Sequence, residues 1–123
     1  MSDFLTLGDV LGIHAILLQR YGGMNGIRDI RALESAIFRP QSGYYADVVE
    51  EAAALAESLL INHPFLDGNK RTAYAACAVF LKINGLKICA SSQELHGTLL
   101  HWLELPSSQR FECMVRALRK LVR

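Results

Sequence analysis

Apolar residues recur with the period of an α-helix over nearly the whole of this chain. Their spacing of three and four residues puts them on one face of each segment, while the two-residue alternation of a half-buried strand is essentially lacking. The chain is therefore predicted to be all-α. Since roughly 100–200 residues make one domain, residues 1–123 are expected to form a single domain.

Capping residues and helix breakers divide this pattern into six helices. In the third helix, Glu50, Glu51 and Glu57 are predicted to face water. The fourth is predicted to be the central buried helix, because it is rich in closely spaced small and apolar residues. A short extended piece is expected at 86–90. The six helices are predicted at 7–20, 29–38, 47–63, 69–84, 91–104 and from 107 toward the C-terminus.

Composition and charge exclude several classes of protein. A content of 51% hydrophobic and 20% charged residues excludes a disordered chain, and a net charge of +1 gives no overall basic field for nucleic acid or anionic lipid. The longest apolar run, 73–81, is far shorter than the ~20 residues that cross a bilayer. The N-terminus lacks the basic region of a secretory signal, and three cysteines without regular spacing fit free thiols. A cytoplasmic protein that binds neither nucleic acid directly nor membranes is expected.

One stretch departs from what folding alone favours: residues 63–71, His-Pro-Phe-Leu-Asp-Gly-Asn-Lys-Arg. Lys70 and Arg71 fall in the first turn of the predicted fourth helix, where the helix dipole makes each cation unfavourable by about 0.3–1 kcal/mol. Their position makes sense if an anion binds there. Free main-chain amides, Asn69 and the two cations would form a phosphate site, and Gly68 would let the backbone approach the ligand.

Two further side chains in this stretch suit phosphate chemistry. Asp67 is a single carboxylate beside the phosphate site, which is the usual protein contribution to a magnesium site. His63 is a candidate general base for an incoming hydroxyl. Together these residues predict phosphoryl or nucleotidyl transfer. Each also has a structural explanation: His63 as a helix cap, Asp67 and Gly68 as a common turn pair, and Lys70 and Arg71 as a solvated first turn.

Residues 63–71 resemble the signature of the Fic/Doc superfamily, H-x-F-x-[DE]-[GA]-N-[GK]-R. Other parts of the chain resemble its death-on-curing (Doc) branch, so that the resemblance covers roughly residues 6–90. These parts are Arg20-Tyr21-Gly22-Gly23, Gly26-Ile27-Arg28-Asp29, Leu33-Glu34-Ser35-Ala36, Arg39-Pro40 and Phe80-Leu81-Lys82-Ile83-Asn84-Gly85.

The resemblance implies a compact six-helix Fic/Doc-type fold and a toxin of a type II toxin–antitoxin system. Doc toxins transfer the γ-phosphate of ATP to a threonine of the elongation factor that delivers aminoacyl-tRNA, and protein synthesis stops. ATP would be the co-substrate and Mg²⁺ the metal. By this resemblance the base is His63, the Mg²⁺ ligand is Asp67, and the phosphate and nucleotide binders are Gly68, Asn69, Lys70 and Arg71.

Two alternatives stay open. One is a Fic-type enzyme that transfers AMP to protein, although that branch has glycine at the position of Lys70 and commonly a second arginine at that of Tyr74. The other is a catalytically idle antitoxin-binding or regulatory module. Ser108 and Glu112 have the spacing of the inhibitory helix of Fic proteins, but Cys113 breaks its motif. An inhibitor in trans, an antitoxin of the Phd type, is therefore expected.

Three features lie outside residues 63–71. His14 is predicted to be a buried, hydrogen-bonded histidine on the apolar face of the first helix. The loop 24–29 either borders the active site or is a structural turn. The basic residues near the C-terminus are either a solvated helix face or a contact for an acidic partner; they are Arg116, Arg119, Lys120 and Arg123.

Overall fold

The computed structural model describes residues 2–123, apart from the side chains of Ser92, Leu95, His96, Leu99 and Leu100. Over this range the chain is all-α, and each predicted helix is found to within one or two residues at its ends. A short 3-10 helix follows the second α-helix, at Arg39–Ser42. The six α-helices are α1 (Leu7–Tyr21), α2 (Ile30–Phe38), α3 (Val48–Asn62), α4 (Asn69–Ile83), α5 (Ser92–Glu104) and α6 (Ser107–Leu121).

Side-chain caps explain where most of these helices begin. Each capping side chain accepts a hydrogen bond from the main-chain N–H three residues later, which satisfies a donor that the helix itself leaves free. At α1 the bond is reciprocal, because the Asp9 carboxylate also accepts from the main chain of the cap. The four caps of this kind are Thr6, Asp29, Asp47 and Ser91.

The most deeply buried helix is α3, not α4. Ten residues of α3 are buried, against six of α4, and they include the three consecutive alanines 52–54. Small side chains on successive positions let neighbouring helices approach α3 from several directions. The prediction that 69–84 is a central helix packed on several sides agrees with the contacts of α4, which packs against α1, α3 and α5, while α2 and α6 pack on α3.

Glu57, predicted to face water, lies inside the protein with a relative exposure of 9%. Its carboxylate pairs with Arg39 at 2.8 Å and lies 3.9 Å from Arg110 on α6. Arg39 also donates to the hydroxyl of Tyr45 at 2.7 Å. A buried carboxylate is tolerated when it is paired in this way, and here it joins three parts of the chain.

The remaining predictions on the fold have clear outcomes. The extended piece at 86–90 takes part in one isolated β-bridge, between Ile88 and Val122, and within residues 2–123 no strand is formed. Of the basic C-terminal residues, Arg119 pairs with Asp47 at 2.8 Å at the start of α3. No helix in the described part of the chain combines the length and hydropathy needed to cross a bilayer.

Candidate active site

The candidate site lies where α3 ends and α4 begins. α3 stops at Asn62, and His63 takes a left-handed backbone conformation, with φ 46° and ψ 58°. Pro64 prevents the helix from continuing. Gly68, with φ 78°, then starts α4. His63 is the single non-glycine residue with positive φ among residues 2–123, so the candidate base has an unusual backbone.

A buried histidine on α1, His14, contacts the segment between α3 and α4, called the junction below. His14 has a relative exposure of 4%, and its ring stacks on that of Phe65 with centroids 3.7 Å apart. Its Nε2 lies 2.9 Å from the carbonyl oxygen of Asp67, which makes Nε2–H the donor. The prediction of a buried, hydrogen-bonded histidine is confirmed. A β-carbon at residue 68 would lie 3.6 Å from the same ring nitrogen, which is an ordinary van der Waals contact. Space would thus permit a side chain there, and it is the positive φ of Gly68 that favours glycine.

Asp67 is exposed and held as an anion. Hydrogen bonds from the main-chain N–H groups of Met24 and Gly68, at 3.1 and 2.8 Å, together with the charge of Arg71, hold the pKa of Asp67 below its ordinary value of 3.8. A β-carbon at Gly23 would come within 2.9 Å of Oδ2, so glycine leaves room for this carboxylate.

A single ionised carboxylate fits a Mg²⁺ ion that takes its other ligands from phosphate and water. Each carboxylate oxygen of Asp67 accepts one hydrogen bond and keeps a second lone pair for a metal. The described residues hold no cluster of three or more His, Cys, Asp or Glu side chains that could bind a metal ion alone. Asp67 is thus the one carboxylate among the residues that line this cavity.

The side chain of Asn69 binds the main chain of the loop between α3 and α4. Its Oδ1 accepts from the main-chain N–H of Phe65 at 3.0 Å, and its Nδ2 donates to the carbonyl of the same residue at 2.9 Å. Both polar groups of the amide thus fix the loop that carries Asp67. A phosphate contact from this side chain stays a prediction, and it would have to share the amide with Phe65.

Lys70 and Arg71 are both exposed in the first turn of α4, which contains no acidic residue. The guanidinium of Arg71 lies over the ring of Tyr21, 4.5 Å from its centroid. All six predicted site residues line a single surface cavity of about 330 Å³, with Leu66 as its seventh wall residue. Two cations and a helix N-terminus on one side of a cavity make it suitable for an anion.

The loop 24–29 packs against the junction between α3 and α4, next to the residues that line the cavity, and this placement is compatible with both interpretations of the loop. The N–H of Leu66 donates to the carbonyl of Gly26 at 3.0 Å, and Ile27 forms a β-bridge with Phe65. A β-carbon at Gly26 would come within 2.7 Å of the Leu66 side chain. The loop and the junction are therefore one packed unit.

Sequence reasoning missed two residues of this unit. Tyr21 lies against Arg71, and Arg28 donates from its guanidinium to the carbonyl oxygens of Asn62 and His63. One signal was available for Arg28: α3 has no basic residue in its last turn, where a cation is favoured. Tyr21 lies in a segment that resembles the Doc branch, but nothing in the sequence placed it against Arg71.

Comparison with known proteins gives consistent matches. A model of the Fic/DOC family matches residues 4–81, a range that contains the cavity and α1 to α3 in full. The chain is similar to Toxin Doc of Mycolicibacterium smegmatis, with 41% identity over 95 residues that cover 73% of this chain and 71% of that protein. It is also similar to Protein kinase doc of Escherichia phage P1, with 30% identity over 89 residues covering 69% and 71%.

Proposed function

This chain belongs to the Fic/DOC family, and we propose that it is a toxin that phosphorylates a translation factor. It transfers the γ-phosphate of ATP to a threonine of the elongation factor that delivers aminoacyl-tRNA, and so arrests protein synthesis. The observation that carries this proposal is the meeting of His63, Asp67, Lys70 and Arg71 in one cavity at the N-terminus of α4. The two relatives, Toxin Doc and Protein kinase doc, are named as a toxin and a protein kinase, and these names support the same reaction class.

The residues have distinct roles in this reaction. His63 accepts the proton of the threonine hydroxyl, whose oxygen forms a bond to the γ-phosphorus. The bond between that phosphorus and the β,γ-bridging oxygen breaks, and ADP leaves with the electron pair. Lys70, Arg71 and the first main-chain amides of α4 bind the phosphate oxygens. These oxygens carry negative charge both in the bound nucleotide and in the transition state.

Asp67 would hold Mg²⁺ together with phosphate oxygens and water. The ion would neutralise charge on the phosphates when the nucleotide is bound. The low pKa of Asp67 keeps its carboxylate ionised at the pH of the cell, and the amides of Met24 and Gly68 fix its orientation. Because Asp67 is already positioned, little side-chain ordering accompanies nucleotide binding.

Two side chains favour transfer of phosphate over transfer of AMP. Lys70 occupies the position of the glycine found in AMP-transferring members, so a side chain fills space where a diphosphate could lie on bare backbone. Tyr74 occupies the position of their second arginine, and it packs against the hydrophobic core outside the residues that line the cavity. The cavity thus lacks the additional cation of that branch.

The sequence of α6 supports control of the proposed toxin by a Phd-type antitoxin in trans. The sequence around Ser108 and Glu112 departs from the inhibitory motif at Cys113. The Glu112 carboxylate instead lies 3.9 Å from Arg116 on the exposed face of the same helix. A small protein encoded next to this chain that restores growth on co-expression would support this control.

Intact-mass measurement tests the proposal directly. The purified protein is incubated with Mg-ATP and the elongation factor, and the factor is expected to gain the mass of one phosphate. His63→Ala should abolish the gain while the thermal melt stays nearly unchanged, because this side chain is exposed. His101→Ala, an exposed histidine on α5, is the matched control and should remain active.

The other outcomes point to the alternatives. A gain of one AMP would identify an adenylyl transferase and contradict the phosphate reaction. An unmodified factor under several conditions would identify a regulatory module that keeps only the fold. Lys70→Gly examines the nucleotide geometry, since unaltered phosphate transfer in that variant would contradict the role given to Lys70.

A further inference from the structure

We propose that Arg28 is a positioning residue that sets the place of the base His63, an inference that rests on the proposed function. Arg28 lies in the loop between α1 and α2 and is not among the residues that line the cavity. It acts on the reaction through the backbone of residues 62–64. Neither the composition of the cavity nor the signature motif assigns it a role.

The contacts of Arg28 are concentrated on three consecutive carbonyl groups. Its Nε donates to the carbonyl of His63 at 2.6 Å, and its Nη2 donates to that of Asn62 at 2.5 Å. Its main-chain N–H donates to the carbonyl of Pro64 at 2.8 Å. One residue thus binds the whole turn that links α3 to the catalytic loop.

This turn needs an external donor. The last carbonyls of a helix lack partners within it, and they carry the negative end of the helix dipole. α3 has no basic residue in its last turn, so the planar, permanently charged guanidinium of Arg28 supplies both the cation and the paired donors. Its two N–H groups match two neighbouring carbonyl oxygens, which a single ammonium group cannot do in the same geometry.

The contact with Arg28 matters because His63 has a left-handed backbone conformation. A left-handed residue with a β-carbon is unfavourable because that carbon crowds the following carbonyl oxygen. Surrounding contacts must hold such a residue in place. The guanidinium of Arg28 binds the carbonyl oxygens of the two peptide groups that flank His63, those of Asn62 and of His63 itself. These bonds restrain the backbone of a residue that lines the cavity, and thereby the place of its imidazole.

The loop keeps a second attachment that does not depend on the Arg28 side chain. The N–H of Asp29 donates to the carbonyl of Pro64 at 3.0 Å, and the N–H of Leu66 donates to that of Gly26. Removal of the guanidinium should therefore leave the fold in place and release only the turn at Asn62 and His63. The phosphate-binding residues are held by other contacts, so nucleotide binding should be spared.

The test compares Arg28→Ala and Arg28→Lys with Arg31→Ala, a control arginine that is also exposed, on α2. We measure kcat and KM for ATP with the elongation factor, and the backbone conformation of residue 63 by NMR, from its intraresidue amide-to-α-proton distance and its Cα shift. In Arg28→Ala, kcat should fall by about 10- to 100-fold, because small displacements of a catalytic group have effects of this size. The KM for ATP should stay within about twofold.

The NMR signature of positive φ at His63 should be lost in Arg28→Ala. Arg28→Lys should give an intermediate kcat, since it keeps the charge but not the paired donors. Arg31→Ala should match the wild type in every measurement. Were Arg28→Ala to misfold, Arg28→Lys would carry the same comparison.

Three results would overturn the proposal: wild-type kcat in Arg28→Ala, an unchanged conformation of His63 in that variant, or a raised KM for ATP with kcat intact. Failure of the proposed function looks different. In that case the wild-type protein does not modify the factor, while the NMR comparison still decides whether Arg28 holds His63 in its left-handed conformation.

Discussion

At the scale of single residues, the site depends on side chains that bind main-chain groups. His14, Asn69 and Arg28 all direct their polar atoms to carbonyl or amide groups of the loop between α3 and α4. The position of Lys70 and Arg71 at the start of α4 could be predicted from the sequence, and it pointed to an anion site because cations are unfavourable at a helix N-terminus. The direction of Asn69 could not, since an amide suits both a phosphate and a main-chain partner.

Asp67 gives a pH dependence at this scale. Its pKa in the folded protein lies below the ordinary value of 3.8, so its ionisation stabilises the fold above pH 3.8, and this contribution is lost as the pH falls through the lowered pKa. Urea unfolding of the wild type and of Asp67→Asn should differ at pH 6, with the wild type more stable. The difference should shrink below pH 3.8. A gap between the two proteins that is constant down to pH 3 would contradict the assignment.

At the scale of elements, α3 is the helix on which α2, α4 and α6 pack, and Glu57 joins it to its neighbours. The helical pattern located α3 correctly but placed Glu57 on its water-facing side, whereas Glu57 is buried. Periodicity describes a single helix and not the segments that pack against it. Arg39 precedes α3 and Arg110 lies on α6, so the partners of Glu57 are distant in sequence. The central position of α3 follows from tertiary packing in the same way.

Glu57→Ala should destabilise the protein by about 2–4 kcal/mol, because two cations would be left without their partly buried carboxylate. Glu112→Ala removes a carboxylate paired with Arg116 on the surface, where the two side chains are 76% and 73% exposed. This control should change stability by less than about 0.5 kcal/mol. Chemical unfolding of both variants measures the difference, and equal effects would show that the Glu57 network adds nothing.

At the scale of the whole molecule, the all-α class followed from local signals: apolar period, caps and breakers. The assembly of the candidate site did not, since its supports come from α1 and the loop after it, while the residues that line the cavity lie at the end of α3 and the start of α4. Contacts between such separate segments depend on how the helices pack. No spacing within one segment encodes them.

Cysteine reactivity reports on the integrity of this whole packing. Burial raises the pKa of the Cys77 thiol to about 12, whereas Cys89 is exposed and Cys113 is partly so. A thiol reagent at pH 8 should modify Cys89 first, Cys113 more slowly and Cys77 only on global unfolding. Mass spectrometry of peptides over time gives the order. Rapid modification of Cys77 in the native protein would contradict a closed core between α3 and α4.

Two glycines in the loop after α1 have a genetic consequence. Gly23 leaves room for the Asp67 carboxylate, and Gly26 leaves room for the side chain of Leu66. If the chain is the proposed toxin, a selection for cells that survive its expression samples every way to spoil the site. Survivors should then carry substitutions at these two glycines as well as within residues 63–71. The inactivating mutations would thus fall in two separate segments of the gene, one for the loop and one for the junction.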